Sequence, residues 1–302
     1  MNDEKQLGET AFNPDTDRFT TNAWGSEIDT QRFDGSVKLG YVFPELPFQS
    51  FGFQASYSNH SQESYYGLNQ YNIDHESVYS NLLFSSIIGS TQHKFKTGIS
   101  FAYDNYDEQV NTELFNRADR SAGAFFEYSY TNLERLSLTA GARLDTHNRL
   151  GTFFTPRLHV RYTPWEKASL RGSFGLGRRA ANIFAENQRL FASSRNLVLN
   201  GNGGNVYGFD AEKALNVGFG FLQRFSLLNR PGSLSLDFYR TDFENQVVVD
   251  WENAREVRFS NLEGDSFANS FQAEVNHEVL PNVELRMAYK YYDVQTTYQT
   301  GQ

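Results

Sequence analysis

The chain has 302 residues, a formal net charge of −9, 16% aromatic residues and no cysteine. The lack of cysteine excludes disulfides and thiolate metal ligands, and the acidic balance argues against a general nucleic-acid-binding surface. No apolar run approaches the roughly 18 residues of a membrane-spanning helix, but strands of alternating polarity also cross membranes, so the mean hydropathy of −0.57 is compatible with a β-barrel.

Apolar and polar residues alternate with a period of two in successive segments, which is typical of strands whose side chains point to opposite faces. The segments are 36–43, 51–58, 76–88, 94–103, 121–130, 136–145, 157–162, 169–176, 215–221, 233–238, 267–275 and 283–291. No stretch of comparable length has a helical period. The pattern predicts an all-β fold of about a dozen strands, each near the 9–11 residues of a membrane strand.

The connections between these segments alternate between short and long. The short ones are 44–48, 89–92, 131–134, 163–167, 227–232 and 280–282, and the long polar ones are 59–74, 105–120, 146–155, 179–211 and 241–265. Strict alternation places all short turns on one side, as in outer-membrane barrels with short periplasmic turns and long extracellular loops. We therefore predict an antiparallel up-and-down transmembrane β-barrel; a soluble β-sandwich is the alternative.

The segment 155–180 shows what each predicted face carries. Leu158, Val160 and Phe174 alternate with Arg157, His159, Arg161 and Arg171. An arginine or lysine facing lipid at the bilayer midplane costs about 2–4 kcal/mol, so the apolar face is predicted to contact lipid and the basic face to line the interior.

The predicted interior and ligand-facing residues extend to other segments. The candidates are Arg143, Arg157, His159, Arg161 and Arg171 on strands, with Arg178 and Arg179 at a loop, and Lys38, Lys94 and Lys96 share the polar face. The alternative interpretation is structural: the strand charges pair within the wall with Glu127, Asp145, Asp237 and Glu284. Further contact points at loop tips are Asn182, Glu186, Phe184, Phe191 and Tyr207.

No catalytic, cofactor or metal site is predicted, and the chain is not expected to be an enzyme. The run "GLGRRA" at 175–180 matches a dinucleotide fingerprint in form, but that motif needs a following helix, and a polar segment follows here. The six histidines lack metal-site spacing, and acidic runs such as "DNYDE" at 104–108 are interpreted as solvated loop charge.

The stretch "TPRLHVRYTPWEKASLRGSFGLGRRAANIFAEN" resembles a barrel segment of TonB-dependent outer-membrane receptors, and "FDAEKALNVGFGFLQRF" and "SLSLDFYRTDFENQVV" resemble its following strands. The resemblance covers approximately 155–297; Ala181 and Ala211 replace two prolines that are usual in the family. It implies energy-coupled uptake of a large, scarce nutrient of the siderophore–iron, cobalamin or oligosaccharide class, with no bond-making chemistry in the barrel.

The same resemblance sets the expected domain organisation. The family has a signal peptide, a TonB-contacting box, a plug domain and a barrel of about 22 strands. We expect residues 1–302 to be one partial barrel domain of a larger barrel, running between two extracellular loops, without plug, signal peptide or TonB box. The expected partners are outer-membrane lipid, an unidentified nutrient, and the TonB complex through a plug outside this chain, in the bacterial outer membrane. A passive porin and a barrel enzyme are the competing functions.

Overall fold

The computed structural model describes residues 2–132 and 135–297, and these residues form strands almost throughout. The strands are β1 (Asn2–Gly8), β2 (Gly25–Phe43), β3 (Leu46–Tyr66), β4 (Asn69–Ile88), β5 (Ser90–Val110), β6 (Glu113–Leu114), β7 (Arg117–Asn132), β8 (Leu136–His147), β9 (Gly151–Tyr162), β10 (Ala168–Arg179), β11 (Asn196–Asn200), β12 (Glu212–Leu227), β13 (Arg230–Glu244), β14 (Val247–Asp250), β15 (Glu256–Asn261), β16 (Ser266–Leu280) and β17 (Val283–Thr296). A 3-10 helix spans Ala185–Ala192. No helix in the described ranges has the length and apolar character needed to span a bilayer.

Strands that follow one another along the chain pair antiparallel in one large sheet. The sheet has 14 strands in the order β1-β2-β3-β4-β5-β7-β8-β9-β10-β12-β13-β16-β17, with β6 paired to β5. A smaller sheet has the order β11-β15-β14, and its β11–β15 pair is parallel. The up-and-down antiparallel topology confirms the predicted fold class, and the long strands of the large sheet number the predicted dozen.

Strand register separates two faces. Phe174 lies opposite Leu158 and Val217, while Arg171 lies opposite Arg161 and Gly220. Directly opposed residues share a face of a sheet, so the apolar residues form one continuous surface, called here the outer face, and the charges form the inner face. Phe174, Leu158 and Val217 are exposed on the outer face.

Aromatic rings cross the outer face near its short turns. Ring contacts connect neighbours from β2 to β7 with centroid separations of 4.9 to 5.9 Å, through Phe43, Phe51, Phe84, Phe95 and Phe126. Aromatic residues flank the apolar band of membrane barrels at the water interface, so this row marks the short-turn edge of the band.

The short turns lie where they were predicted. Leu228 and Asn229, between β12 and β13, both have positive φ (53° and 60°), as a two-residue hairpin turn with the twist of its strands requires. The predicted turn 131–134 lies partly outside the described residues.

Three of the predicted long loops are wrong. Strands β3 and β4 continue through 59–74 with only Gly67 and Leu68 between them, and β8 and β9 are separated by residues 148–150. The segment 105–120 is also mostly strand, in β5, β6 and β7. These strand ends extend beyond the apolar band, where both faces are polar and the period-two signal disappears. The segments 179–211 and 241–265 do contain long connections.

Those two long connections supply the main buried core, here called the inner cap. The residues of this cap pack on the inner face of β3, β4 and β5 at the end away from the short turns. The buried residues where the cap and the wall meet are Tyr66, Tyr71, Ile73 and Val110 from the wall and Ala181, Ile183, Phe184, Leu190, Phe191, Phe209, Val257 and Phe259 from the cap. The cap holds the 3-10 helix and the small sheet against the wall.

The face assignment is tested by placing a charge on the outer face and an apolar residue on the inner face of the same strand, β10. We expect Phe174→Arg to reduce the folded protein in the outer membrane strongly, because a charge in the apolar band costs about 2–4 kcal/mol. Arg171→Leu, three positions away on the inner face of the same strand, should be tolerated better. Heat-modifiable electrophoretic mobility measures the folded fraction, and equal tolerance of both variants would contradict the assignment.

Candidate functional site

The inner face carries five of the predicted ligand-facing residues at the height of the outer apolar band. Small residues opposite the arginines leave room for their long side chains. A Cβ atom at Gly141 would lie 2.8 Å from Arg157 Nε, and one at Gly220 would lie 2.7 Å from the Asp237 carboxylate. These two glycines therefore allow the charged side chains to lie along the wall.

Most charges of this wall are neutralised within it. The pairs are Arg143 with Asp145 at 2.6 Å, Arg157 with Glu127, Lys96 with Glu127 at 3.7 Å, and Arg171 with Asp237 at 2.9 Å. Arg143 also donates a 2.6 Å hydrogen bond to Ser100. The structural interpretation of these cations is therefore confirmed for three of the four acidic partners named from the sequence.

The fourth acidic residue, Glu284, is not paired with a wall cation as that interpretation predicts. Among the described residues it forms no ion pair within 4.0 Å, and the neighbouring Arg286 pairs with Glu274 on β16 at 2.8 Å. Glu284 lies next to the turn between β16 and β17 and is exposed.

His159 and Arg161 differ from their neighbours on the wall. Within residues 2–132 and 135–297, neither side chain has a hydrogen bond or an ion pair. With Thr139, Arg171 and Gly218 they line an open concavity of about 410 Å³ on the inner face. An unneutralised arginine beside an imidazole is a suitable contact for an anionic group.

Arg178 and Arg179 have separate environments at the end of β10. Arg179 bridges Glu212 at 2.6 Å and Glu186 at 3.0 Å, so it anchors the start of the 3-10 helix. The Arg178 guanidinium lies 5.4 Å from the centre of the Phe153 ring, and its buried Nε has no hydrogen-bond partner among the described residues. The structure does not bring Arg178 and Arg179 together with the wall cations as one site.

Two of the three aromatic residues interpreted as loop-tip contacts, Phe184 and Phe191, are buried instead. Phe184 and Phe191 are each 1% exposed. Phe191 stacks on Tyr71 of the wall with 5.0 Å between centroids, and Phe184 contacts Phe259 of the small sheet at 6.1 Å. The polar surroundings of these rings in sequence favoured a loop tip, but burying large aromatic side chains is the stronger driving force.

A buried charge cluster that the sequence did not reveal fixes the inner cap to the wall. Tyr71 donates a 2.9 Å hydrogen bond to Glu108, and Tyr207, in the connection between β11 and β12, donates to the same carboxylate. Arg117 donates to the Tyr207 oxygen at 2.5 Å and to Asn182 in the same long connection. Wall and connection are therefore joined through charged groups that water barely reaches.

Asp119 extends this cluster to a second loop. It accepts from Arg117 Nε at 3.2 Å and from Arg149 Nε at 2.8 Å. Arg149 in turn donates to the backbone oxygen of Asn205 at 3.2 Å. The turn between β8 and β9 is thereby tied to the 179–211 connection.

Burial controls protonation in the cluster, which lies beyond the apolar band. Burial raises the pKa of Glu108, and the hydroxyls of Tyr207 and Tyr71 and the charge of Arg117 offset part of this shift. Burial and the nearby Glu108 raise the pKa values of Tyr71 and Tyr207, so both phenols stay protonated as donors. The sequence signal available for this cluster was the alternation of Glu108 and Arg117 with residues that are more exposed in the structure. It was not used because the segment was interpreted as a loop.

Comparison with known proteins identifies the family of this chain. The family model "TonB dependent receptor-like, beta-barrel" matches residues 2–302. The chain belongs to this family. This TonB-dependent receptor chain is 24% identical to the ferric enterobactin receptor PirA of Pseudomonas aeruginosa, in a match that covers 42% of the chain and 20% of the relative.

Solved structures share the fold at low identity. The siderophore receptor PirA of Pseudomonas aeruginosa has a TM-score of 0.68 at 14% identity, covering 98% of this chain and 57% of that one. The copper transporter OprC has a TM-score of 0.67 at 12% identity, covering 98% and 52%. The hemophore receptor HasR of Serratia marcescens, solved with its hemophore and heme, has a TM-score of 0.65 at 12% identity, covering 90% and 50%.

Membership of the family places the TonB-dependent receptor chain in the bacterial outer membrane, so lipid contacts the outer face. The family consists of receptors and transporters. The chain spans a fifth of the curated relative and about half of these solved structures.

The hydroxyl of Tyr207 is the atom to remove to test how the inner cap is attached. Tyr207→Phe leaves Glu108 and Arg117 without one partner each, which costs about 1–3 kcal/mol for a buried group. We expect faster amide hydrogen exchange across 181–211. Tyr292→Phe, whose ring is 63% exposed on β17, is the matched control and should change nothing; similar exchange in both variants would contradict the cluster's role.

The raised pKa of Glu108 predicts that attachment weakens as pH rises. The fold favours the protonated carboxyl, so this stabilisation is complete below the ordinary carboxyl pKa and is lost as pH rises through the raised value. Exchange of 181–192, corrected for its intrinsic pH dependence, should increase over that window. Glu108→Gln should remove the dependence, and an unchanged slope in that variant would refute the assignment.

Proposed function

We propose that this chain forms part of a TonB-dependent transporter that takes up a large, scarce nutrient, with a ferric siderophore as the favoured class. The family match over residues 2–302 is the observation that carries the proposal. The similarity to a ferric enterobactin receptor and to siderophore receptors favours an iron chelate over cobalamin or an oligosaccharide. In this account the nutrient enters from the side of the long connections.

Residues 1–302 would form one partial barrel domain. Relatives about twice as long in the structural comparisons support a larger barrel, to which residues outside this chain add strands and a plug. The TonB complex would act on that plug, and the wall described here would be its rigid surrounding. A β-barrel has no free strand edges once closed, which suits a wall that must resist force.

Within this wall, the cations without acidic partners would contact the anionic groups that enter the interior. His159 and Arg161 line the concavity, and Lys38 and Lys94 on the same face also lack ion pairs among the described residues. Arg143, Arg157 and Arg171 are already neutralised and would contribute wall stability. Arg178 and Arg179 would act at the extracellular rim.

The proposed activity makes and breaks no covalent bonds. Uptake needs binding, release and energy coupling, whereas a barrel hydrolase needs a nucleophile oriented by a base and an acid. At lipid height, Arg143, Arg157 and Arg171 are used in ion pairs with acidic residues of the wall. Hydrolysis of lipid or peptide by the purified protein, abolished by one serine or histidine substitution, would instead support an enzyme.

Transport under iron limitation tests the proposal. Uptake of radiolabelled iron from a panel of ferric siderophores should require the protein and should disappear in a strain without TonB. Uptake that persists without TonB would support a passive channel. If no siderophore of the panel is taken up but another nutrient is taken up in a TonB-dependent way, the iron-chelate class is contradicted and the transporter class is retained.

The wall cations are tested in the same assay. Replacing both side chains, His159→Gln with Arg161→Gln, should weaken apparent affinity about ten-fold, since a hydrogen bond to a charged group contributes about 1.5–3 kcal/mol. Arg230→Gln, at the short-turn edge where Arg230 pairs with Glu278 at 3.1 Å, is the control. Equal affinity in both variants would exclude the concavity as a contact.

A further inference from the structure

Two histidines that are 15 positions apart in sequence are neighbours on the inner wall. His60 on β3 lies directly opposite His75 on β4, and His75 lies opposite Tyr106 on β5. The row lies just beyond the outer apolar band, because the outer face carries Tyr57 and then polar Asn59 at this height. Directly opposed residues have Cβ atoms about 4.5–5.5 Å apart.

The ring position of His75 and the tautomer of its neutral form are set by its neighbours. Its ring stacks on Tyr106 with 4.3 Å between centroids and 7° between planes. Nε2 lies 3.1 Å from the Asp104 carboxylate, and because a carboxylate only accepts, the proton of neutral His75 is on Nε2. The lone pair is therefore on Nδ1. Metal-binding histidines commonly donate their other N–H to a carboxylate in this way.

His60 lacks the acidic partner that its two cross-strand neighbours, Arg32 and His75, have. Arg32, opposite His60 on β2, is held by Asp34 at 2.8 Å, and His75 is held by Asp104. His60 Nδ1 is buried and has no hydrogen-bond partner among the described residues. A buried nitrogen without a partner is costly, so a ligand that accepts its lone pair would be bound with a gain.

We propose that His60 and His75 form a two-imidazole site for a borderline divalent cation, Cu²⁺ or Zn²⁺. Imidazole suits both ions, and metal–nitrogen bonds of about 2.0–2.1 Å are compatible with one ion between opposed side chains. The described residues contain no cluster of three potential ligands, so water would complete the coordination shell. His75 is 27% exposed, which leaves the site open to the interior. The proposal does not depend on which nutrient the protein transports.

Titration with Cu²⁺ alone tests the site in the purified full-length receptor. Calorimetry should show one binding event, and electron paramagnetic resonance should show hyperfine coupling to two nitrogens. His60→Gln and His75→Gln should each weaken this event at least ten-fold and remove one nitrogen coupling. Asp104→Asn should weaken it about 10- to 100-fold while both couplings remain, as expected for a residue that orients a ligand.

Two controls make the result decisive. His277→Gln, a histidine whose Nδ1 lies 3.2 Å from the Pro231 carbonyl oxygen, should bind Cu²⁺ as the unmodified protein does. Folding of each variant is checked by heat-modifiable mobility. The proposal is overturned if the unmodified receptor shows no two-nitrogen signal, or if folded His60→Gln and His75→Gln retain full affinity.

Discussion

The structure depends on one constraint: a backbone inside a bilayer has no water with which to form hydrogen bonds. Each strand must therefore pair with neighbours on both sides, and each residue must face either lipid or the interior. The register of β9, β10 and β12 shows the consequence, since Phe174 joins Leu158 and Val217 on one face while Arg171 joins Arg161 on the other. Function is therefore confined to alternate residues of the strands and to the connections beyond them.

The interior handles its charges in two ways that differ with height. At the level of the lipid band, open ion pairs such as Arg171 with Asp237 neutralise the wall while leaving it hydrated. Beyond the band, Glu108 and Arg117 are 0% and 5% exposed at their side chains and are satisfied by phenols, an amide and each other. The first arrangement suits a passage for a solute, and the second holds long connections in a fixed position above it. Binding residues on those connections would thus be presented by a rigid support.

The sequence was informative where one face contacts lipid. The alternation at 157–162 and 169–176 predicted both faces correctly, and the acids Glu127, Asp145 and Asp237 were identified as wall partners. It was misleading where both faces are polar, so β3 was predicted to end about eight residues too early and β4 to begin about seven residues too late. Burial of Phe184 depends on Phe259, and β11 pairs with β15 across about 60 positions, as Leu199 opposite Phe259 shows. Local patterns carry no information about such distant contacts, and the same limit hid the proximity of His60 and His75.

The central claim is that successive residues of β10 alternate between lipid and water. Because the chain contains no cysteine, single spin labels can be placed without background. Leu170→Cys, Gly172→Cys and Phe174→Cys, labelled in membranes, should collide preferentially with dissolved oxygen, which concentrates in lipid. Arg171→Cys, Ser173→Cys and Gly175→Cys should collide preferentially with a water-soluble nickel chelate. Strict alternation of the two accessibilities is the predicted result, and a uniform profile across 170–175 would contradict the account.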